Sequence, residues 1–395
     1  MPTLSERVGR PVVRQRKMAW IFLKPPVVPP DWSQPLTLRI SGIRMSGKSS
    51  YLETAACNIL EASRVKNRDG SLGKITSNCW DIYSSADAES ISWLDSIYKD
   101  SVVLLKDPSA VVSCPDWIHV KDYSACHPED ESSRGDLDPS GGHIYILVNS
   151  FFPTEATKFQ ALGELMTRFK MRNDYSTIDI LLIREASAWL NSIMVSTKGS
   201  GAMNLMLSRM QMTALHSELS HHAVSLLIDV ARDVTLERTI RMMSSWALYC
   251  RIGGLDWARS MNWVGGYISW ETLRSLPKGW ALAISDTQSV ALCKYEMEPW
   301  HFQKRGESLL KRFGISVIFD AEALRAANQT FRGRSVDEQT HRKIVVLRQG
   351  GMSFEQIGKE TGLPTSTTRY HFLEVHGGHK CRCPPDPIQE EHPQQ

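Results

Sequence analysis

The sequence lacks any long hydrophobic run. None of its stretches approaches the roughly 20 consecutive apolar residues that a membrane-spanning helix requires. Near its beginning the longest apolar run covers only 18–23, which is too short for a signal-peptide core and is not followed by a small-residue cleavage site. These absences predict a chain with no membrane span that works in the cytoplasm.

Cysteine is scarce and irregularly spaced, which argues against a disulfide framework. The eight cysteines among the 395 residues are Cys57, Cys79, Cys114, Cys126, Cys250, Cys293, Cys381 and Cys383. Such scattered thiols favour a reducing compartment. Near the end, His376, His379, Cys381 and Cys383 are more crowded than the usual paired ligands of a zinc site. A polar tail over 379–395 is therefore favoured, with zinc binding as the alternative.

Neither sign of charge is in large excess. The net charge of +3 is too small to indicate nucleic-acid binding by itself, and 42% hydrophobic with 23% charged residues is typical of a globular protein. Basic residues nevertheless cluster at both ends. They are Arg7, Arg10, Arg14, Arg16, Lys17 and Lys24 in the first segment, and Arg325, Arg332, Arg334, Arg342, Lys343 and Arg348 in the second. Either cluster contacts phosphate backbones or is a solvated face.

What the sequence does contain is a glycine-rich phosphate loop, GIRMSGKS. Its residues are Gly42, Ile43, Arg44, Met45, Ser46, Gly47, Lys48 and Ser49. The glycines let backbone N–H groups turn inward around phosphate oxygens. Lys48 supplies a cation to the terminal phosphates, and the Ser49 hydroxyl supplies a ligand to Mg²⁺. The loop predicts ATP and Mg²⁺ as cofactors.

The surroundings of the loop indicate an α/β fold. An alternating strand over 36–40 precedes the loop, and apolar residues at helical spacing follow it. Continuous apolar runs at 144–148, 178–183 and 224–228 are separated by helical stretches, which is typical of a mostly parallel sheet covered on both faces. We expect a basic, proline-rich arm over 1–34, in which proline favours an extended connector, and a P-loop ATPase domain over 35–320.

Glu185 is the candidate for the catalytic carboxylate, because it directly follows the apolar strand and Arg184. The alternative is an ordinary acid at a helix start. Arg184 stands where many such ATPases place the metal-linked aspartate. It is either a phosphate-facing cation, and hence a sensor candidate, or a sign of slow hydrolysis or of nucleotide binding alone.

Further candidates follow the third apolar strand. Asp229 and Arg232 lie at its tip and are candidate sensors. Arg238 and Arg241 are three residues apart on a helix expected to begin near Thr235, so both project from one face. In a ring they could reach a neighbour's γ-phosphate as catalytic residues. Surface salt bridges with Glu237 are the equally open alternative.

Residues 328–378 have the pattern of a small helix-turn-helix domain. Ser353 and Pro364 are residues that commonly begin a helix, and Gly362 between them ends the helix that follows Ser353. The last helix carries Thr365, Ser366, Thr367, Thr368, Arg369 and Tyr370, together a set suited to the major groove of double-stranded DNA. Protein binding or dimerisation is the alternative use of such a unit.

Over about 36–318 the sequence resembles the FtsK and HerA type of P-loop ATPase, particularly ATP-binding proteins of archaeal viruses and plasmids. The resemblance is carried by GIRMSGKS, ILLIREA at 180–186, SLLIDVARDVTLERTIR at 225–241, and Trp300-His301 before SLLKRFG at 308–314. It implies a RecA-like core, a homohexameric ring, ATP-driven movement along duplex DNA, and Glu185 with an arginine finger as catalytic parts. Arg184 departs from the family's Asp-Glu form, and Val230-Ala231 stands where Thr-Gln is common.

Two functions agree with these observations. The first is an ATP-hydrolysing DNA translocase of a mobile genetic element, serving packaging, transfer or segregation and recruited to DNA by the C-terminal helix-turn-helix. The second is a nucleotide-switched DNA-binding regulator with little or no hydrolysis, which the departures at Arg184 and Ala231 favour.

Overall fold

The computed structural model describes residues 12–15, 17–24, 29–43, 45–67, 69–84, 87–126, 128, 142–172, 177–190, 200–232, 235–253, 267–296, 300, 309–320, 338–363, 365 and 368–369. The chain forms two compact units, 1–321 and 322–395. None of the described helices is long and apolar enough to cross a membrane.

The first unit is built on a large central sheet. The strands are β1 Val12–Gln15, β2 Met18–Lys24, β3 Thr37–Ser41, β4 Arg64–Lys66, β5 Leu72–Ile75, β6 Cys79–Tyr83, β7 Val102–Lys106, β8 Ala110–Ser113, β9 His119–Asp122, β10 Ile144–Leu147, β11 Asp179–Ile183, β12 Val224–Val230, β13 Trp246–Tyr249, β14 Trp280–Ser285, β15 Val290–Tyr295 and β16 Ser316–Phe319. Twelve of them form one sheet in the order β1-β2-β15-β14-β13-β3-β12-β11-β6-β10-β7-β9.

Helices connect and cover the strands. The α-helices of the first unit are α1 Lys48–Ala62, α2 Asp87–Ser90, α3 Glu155–Met171, α4 Ser200–His216, α5 Arg238–Met242, α6 Trp270–Arg274 and α7 Leu309–Arg312. Short 3-10 helices lie at Ile91–Asp95, Lys99–Ser101, Tyr123–Ala125, Asn149–Phe151, Ala186–Ala188 and Leu219–His222. Among the described residues, α3 and α4 make the most extensive helix–helix packing.

The sheet is mostly parallel, as the sequence predicts. From β13 through β3, β12, β11, β6, β10 and β7 to β9 every neighbouring pair is parallel. Every residue of β3, β6, β11 and β12 is buried, and for β11 and β12 this explains their nearly continuous apolar runs. Since the carboxyl ends of parallel strands meet at one edge, the loops after β3, β11 and β12 come together there.

The structure corrects the expectation of an extended connector over 1–34. Residues of this arm form β1 and β2, and β2 pairs antiparallel with β15. Trp20 on β2 is fully buried and packs edge-on against Trp246, with ring centroids 5.3 Å apart. Burial of so large an aromatic surface outweighs the preference of the nearby prolines for an isolated extended chain. The arm thus contributes strands to the central sheet of the first unit.

A buried histidine at the end of α4 gives the first unit a pH-dependent stability. His216 is 3% exposed, and neither ring nitrogen has a hydrogen-bond partner among the described residues. Burial lowers the pKa of His216 from 6.5 to about 4, against a smaller opposing effect of Glu237. Between pH 6.5 and pH 4, His216 is therefore protonated in the unfolded chain but mostly neutral in the folded chain.

We expect His216 to reduce the free energy of unfolding as the pH falls from 6.5 to 4, by about 3 kcal/mol at most. Above pH 6.5 the histidine is neutral in both states, so its contribution is constant there. Denaturant unfolding of wild type and His216→Leu across this range measures the effect as a pH-dependent difference between the two. His221→Leu, an exposed neighbour in the following 3-10 helix, is the control, and an identical pH slope in wild type and His216→Leu would contradict the prediction.

The second unit contains α8 Glu338–Gln349 and α9 Phe354–Thr361. Ile344 and Val345 on α8 and Ile357 on α9 are buried where the two helices contact each other. Ser353 begins α9 with a capping box, because its hydroxyl accepts from the Gln356 N–H while the Gln356 side chain accepts from the Ser353 N–H. The described residues thus provide two helices, and most of the predicted third helix lies outside them.

Candidate nucleotide site

The phosphate loop leaves the carboxyl end of β3, the strand between β12 and β13. Its first residues are attached to both neighbours: the Gly42 N–H donates to the Val230 carbonyl at 3.3 Å, and the Ile43 N–H donates to the Arg251 carbonyl at 2.7 Å. The loop ends at Gly47, which directly precedes α1. This is the strand–loop–helix order that a phosphate loop requires.

The two glycines of the loop are required by space and conformation. A Cβ on Gly42 would lie 2.7 Å from Ser46 Oγ and 2.9 Å from Cys250 Cβ. Gly47 has φ of 96°, and a Cβ there would lie 2.7 Å from the Tyr295 hydroxyl. Only glycine meets both conditions, so the backbone can close tightly beneath a ligand.

The start of α1 suits an anion. Gly47 has no side chain with which to cap the first turn of α1, so no side-chain cap bond is made there. The first N–H groups of a helix lack intrahelical acceptors and carry a partial positive charge. Lys48 Nζ lies across the loop and donates to the Ile43 carbonyl at 3.3 Å.

Of the remaining predicted loop residues, Met45 is exposed with φ of 63°, and Arg44 lies outside the described residues.

Ser49 joins the loop to two carboxylates. Its Oγ lies 3.0 Å from Glu89 Oε2 and 3.2 Å from Asp229 Oδ2. Asp229 is fully buried at the end of β12, and burial raises its pKa to about 6, with the Lys48 charge opposing. These are hard oxygen donors of the kind that Mg²⁺ accepts, so the residues fit that cation. The described residues contain no cluster of three or more His, Cys, Asp or Glu that could hold a metal ion by themselves.

Glu185 is the second residue after β11 and is exposed. Its backbone is in the left-handed region with φ of 49°, and its N–H donates to Asp229 Oδ1 in a short hydrogen bond. The backbone of Glu185 is thus connected through Asp229 to Ser49. Its carboxylate stands at the same edge of the sheet as the phosphate loop, where a water molecule can reach it.

Arg184 does not face the loop from the strand end. Its side chain is fully buried, with Nη2 2.7 Å from Asp81 Oδ2 and Nη1 2.5 Å from Glu53 Oε1. Burial lowers the pKa of Arg184, but the two carboxylates raise it by more, so it stays well above its usual value and the guanidinium stays charged. These contacts correct the interpretation of Arg184 as a phosphate-facing cation, because its hydrogen-bonding edge is occupied by the acids of β6 and α1.

The arginines after β12 occupy different environments. Arg232 is exposed, and its carbonyl accepts from the Thr235 N–H at 3.2 Å. Arg238 is exposed at the first residue of α5, so the helix begins three residues later than expected. Arg241 is half-buried one turn on. The Glu237 carboxylate caps α5, accepting from the Ile240 N–H at 3.2 Å.

In the second unit the predicted DNA-contacting residues divide. Thr365 and Arg369 are exposed. Thr368 is fully buried, and its hydroxyl donates to the carbonyls of Phe354 at 3.2 Å and Thr365 at 2.9 Å. The prediction that Thr368 contacts DNA is therefore wrong, because its side chain packs inside the unit. Outside the described residues lie Ser366, Thr367 and Tyr370, as well as His376, His379, Cys381 and Cys383.

Three acids of the site were not found by sequence reasoning. Glu89 contacts Ser49, whereas Asp81 and Glu53 neutralise Arg184. The available signal was an acid in an otherwise apolar stretch: Asp81 interrupts a buried strand. Charges at such positions are paired in folded proteins, so Asp81 and Arg184 could have been proposed as partners.

Comparison with known proteins finds distant matches among solved structures. No protein-family model and no curated protein matches the chain. The genome packaging NTPase B204 from Sulfolobus turreted icosahedral virus 2 is 14% identical, with a TM-score of 0.36, over 66% of this chain and 98% of that chain. The pCW3 conjugation coupling protein TcpA is 12% identical, with a TM-score of 0.37, over 72% and 67%. The Thermomonospora curvata type VII secretion ATPase EccC is 11% identical, with a TM-score of 0.35, over 69% and 25%.

The chain's own residues remain the basis for placing it. GIRMSGKS lies where a phosphate loop must, between a buried parallel strand and the start of a long helix. Carboxylates from two further elements meet its serine hydroxyl. In its phosphate loop and in the parallel sheet that carries it, this chain resembles the P-loop ATPases of the FtsK and HerA type.

Proposed function

We propose that this chain binds and hydrolyses ATP with Mg²⁺ and uses the energy to move double-stranded DNA of a mobile genetic element, in packaging, transfer or segregation. The observation that carries the proposal is the arrangement at the loop. Gly42, Gly47 and Lys48 form a phosphate cradle, and Ser49 stands beside Glu89 and Asp229. Such an arrangement can hold a triphosphate together with a divalent cation.

The residues divide the work of hydrolysis. Loop N–H groups and Lys48 hold and orient the phosphates, while the Ser49 hydroxyl is positioned toward the cation. Bound there, Mg²⁺ would neutralise charge on the phosphate oxygens. The exposed Glu185 carboxylate accepts a proton from, or orients, the attacking water. Its backbone bond to Asp229 fixes the start of the side chain relative to Ser49.

We expect Glu185→Gln to lower ATP turnover by about 100-fold or more, since a positioned general base typically contributes that much. ATP binding should remain close to the wild-type level, because the loop is untouched. Steady-state turnover and binding of a fluorescent ATP analogue measure the two quantities. Glu271→Gln, an exposed acid in the first turn of α6, is the matched control. Full turnover in Glu185→Gln would remove this residue from the catalytic assignment.

The proposed DNA contacts are positive residues of the C-terminal unit. Arg342 on α8 and Arg369 are exposed, and Thr365 stands near the latter in sequence. Together with the two helices α8 and α9 they support recruitment to duplex DNA by a helix-turn-helix. Arg238 and Arg241, on one short helix, are the arginines proposed to reach a neighbouring subunit's nucleotide in a homohexamer. Electron microscopy with an ATP analogue and duplex DNA tests the ring.

A nucleotide-switched DNA-binding regulator is the second candidate. It is favoured by Arg184, a buried cation directly after β11 at the position where a metal-linked aspartate is expected, so that Glu185 is the acid found there. Turnover measured with and without duplex DNA separates the two functions. A rate that rises with DNA supports the motor, whereas negligible turnover that is indifferent to DNA supports the switch.

A further inference from the structure

The strand beside the loop strand carries an acid at the height of Ser49. β12 pairs in parallel with β3, so that Asp229 lies opposite Ile40 and Val230 opposite Ser41. This register brings the fully buried Asp229 carboxylate beside the first turn of α1, 3.2 Å from Ser49 Oγ. Asp229 is also held from the other side, since its Oδ1 accepts the Glu185 N–H.

A second acid approaches the same hydroxyl from α2. Glu89 Oε2 lies 3.0 Å from Ser49 Oγ. The helix that carries Glu89 is itself anchored, because the Asp87 carboxylate accepts the N–H groups of Asn149 at 2.6 Å and Ser150 at 3.0 Å. The position of Glu89 is therefore fixed by the contacts that its helix makes with Asn149 and Ser150.

Two carboxylates lie around the single hydroxyl of Ser49. The Ser49 hydroxyl has a single proton, so it can donate to only one of Asp229 and Glu89 at a time. Like charges so close together repel each other, all the more because Asp229 is removed from solvent. A divalent cation at this point would satisfy both oxygens together with the Ser49 oxygen.

The strand that would ordinarily supply the metal-linked acid is committed elsewhere. The residue directly after β11 is Arg184, and its guanidinium is hydrogen-bonded to Asp81 and Glu53. The charge that is missing from β11 is thus present on the neighbouring strand β12 and on α2.

We propose that Asp229 and Glu89 are the carboxylates directed toward the divalent cation of the bound nucleotide, in place of an aspartate on β11. This inference rests on the proposed ATP-binding function of the loop. It predicts that the two acids act on metal-dependent binding and not on binding of the metal-free nucleotide.

The experiment measures the affinity for a fluorescent, non-hydrolysable ATP analogue in Mg²⁺ and in EDTA, using the full chain. In Asp229→Asn the amide oxygen can still accept the Glu185 N–H, so the local backbone is preserved. We expect Asp229→Asn and Glu89→Gln each to reduce the Mg²⁺-dependent gain in affinity by about tenfold or more. Affinity in EDTA should be unchanged or tighter, because a negative charge next to the triphosphate has been removed. Asp286→Asn, an exposed acid in the turn after β14, and Glu271→Gln are the controls.

The outcomes are separable. A wild-type Mg²⁺ gain in both Asp229→Asn and Glu89→Gln overturns the inference while leaving ATP binding intact. If Asp229→Asn binds no analogue even in EDTA, Glu89→Gln decides, by the same criterion. Failure of the wild-type chain to bind the analogue in either condition overturns the proposed function itself. Binding of Mn²⁺ in the presence of the analogue, followed by electron paramagnetic resonance, gives a second measure that does not depend on turnover.

Discussion

Replacing Lys48 by alanine is expected to abolish ATP turnover and to weaken ATP binding by roughly 10- to 100-fold, the usual value of a hydrogen bond to a charged group. Without a ligand the ammonium group donates to the Ile43 carbonyl across the loop, at 3.3 Å. It therefore stands above the cradle made by Gly42 and Gly47, where terminal phosphates would lie. Alanine removes the only side-chain cation of the described part of this loop.

Stability and nucleotide binding can be separated in this variant. Lys48 is partly exposed and gives up one hydrogen bond, so the thermal midpoint of the Lys48→Ala protein without nucleotide should stay near that of wild type. Lys99→Ala, an exposed lysine in a 3-10 helix of the same unit, is the control for loss of a positive charge. Isothermal titration with ATP gives the affinities. Wild-type affinity and turnover in Lys48→Ala would contradict both proposed functions, the DNA translocase and the nucleotide-switched regulator.

The parallel half of the sheet is predictable because its signals are local. β3 alternates, whereas β11 and β12 are short apolar runs. All residues of the three strands are buried, and each strand begins and ends within two residues of its predicted bounds. The loop is equally local: strand, glycines, lysine and helix are contiguous in sequence. A pattern contained in one stretch can be recognised without knowing what packs against it.

The remaining elements depend on partners far away in the sequence. β2 is held by β15, and the prolines and charges on either side of it obscured the alternation of Met18, Trp20 and Phe22. The apolar spacing over 88–98 predicts an amphipathic helix, but the structure has a single turn of α2 followed by a 3-10 helix, in which Ile91 and Trp93 are both fully buried. An amphipathic helix would leave one face in water, so this burial on several sides is a tertiary condition that periodicity does not show.

Weak alternation over 75–83 predicts one strand, but the structure divides this segment for a similar reason. β5 ends at Ile75 and β6 begins at Cys79. Between them Asn78 turns to other elements: its side-chain N–H lies 3.3 Å from Asp179 Oδ1, and its Oδ1 accepts the His143 N–H at 2.9 Å. These hydrogen bonds join segments that are distant in sequence, and the residues of 75–83 alone do not predict them.

The candidate site shows the same division. Lys48 and Ser49 are recognised from their spacing, and Glu185 from its place after a strand. Glu89 meets Ser49 only because α2 is anchored by residues after β10, and the role of Arg184 depends on acids in two other elements. Contacts of this kind depend on the order of the strands in the sheet, which cannot be predicted from this one sequence.

Replacing Arg184 by methionine is expected to lower the free energy of unfolding by about 3–5 kcal/mol, the cost of leaving buried charges without their partner. Asp81 is fully buried and Glu53 nearly so, and Arg184 bonds to both. Asp81 retains one donor, the Trp93 indole N–H at 3.0 Å, which does not supply a charge. Chemical denaturation of wild type and Arg184→Met measures the loss, with Arg312→Met as the control. That residue pairs with Asp95 at the surface, so its loss should cost at most about 1 kcal/mol.

The combined variant Arg184→Met, Asp81→Asn, Glu53→Gln distinguishes a structural role from a phosphate-binding one. Neutralising the acids removes the uncompensated charges, so this protein should regain much of the lost stability, as replaced buried ion networks commonly do. It should also bind ATP with nearly wild-type affinity, because the cradle and Lys48 are unchanged. If the combined variant were stable but bound ATP tenfold or more weakly than wild type, Arg184 would act on the nucleotide, and the assignment of a purely structural role to its contacts with Asp81 and Glu53 would be wrong.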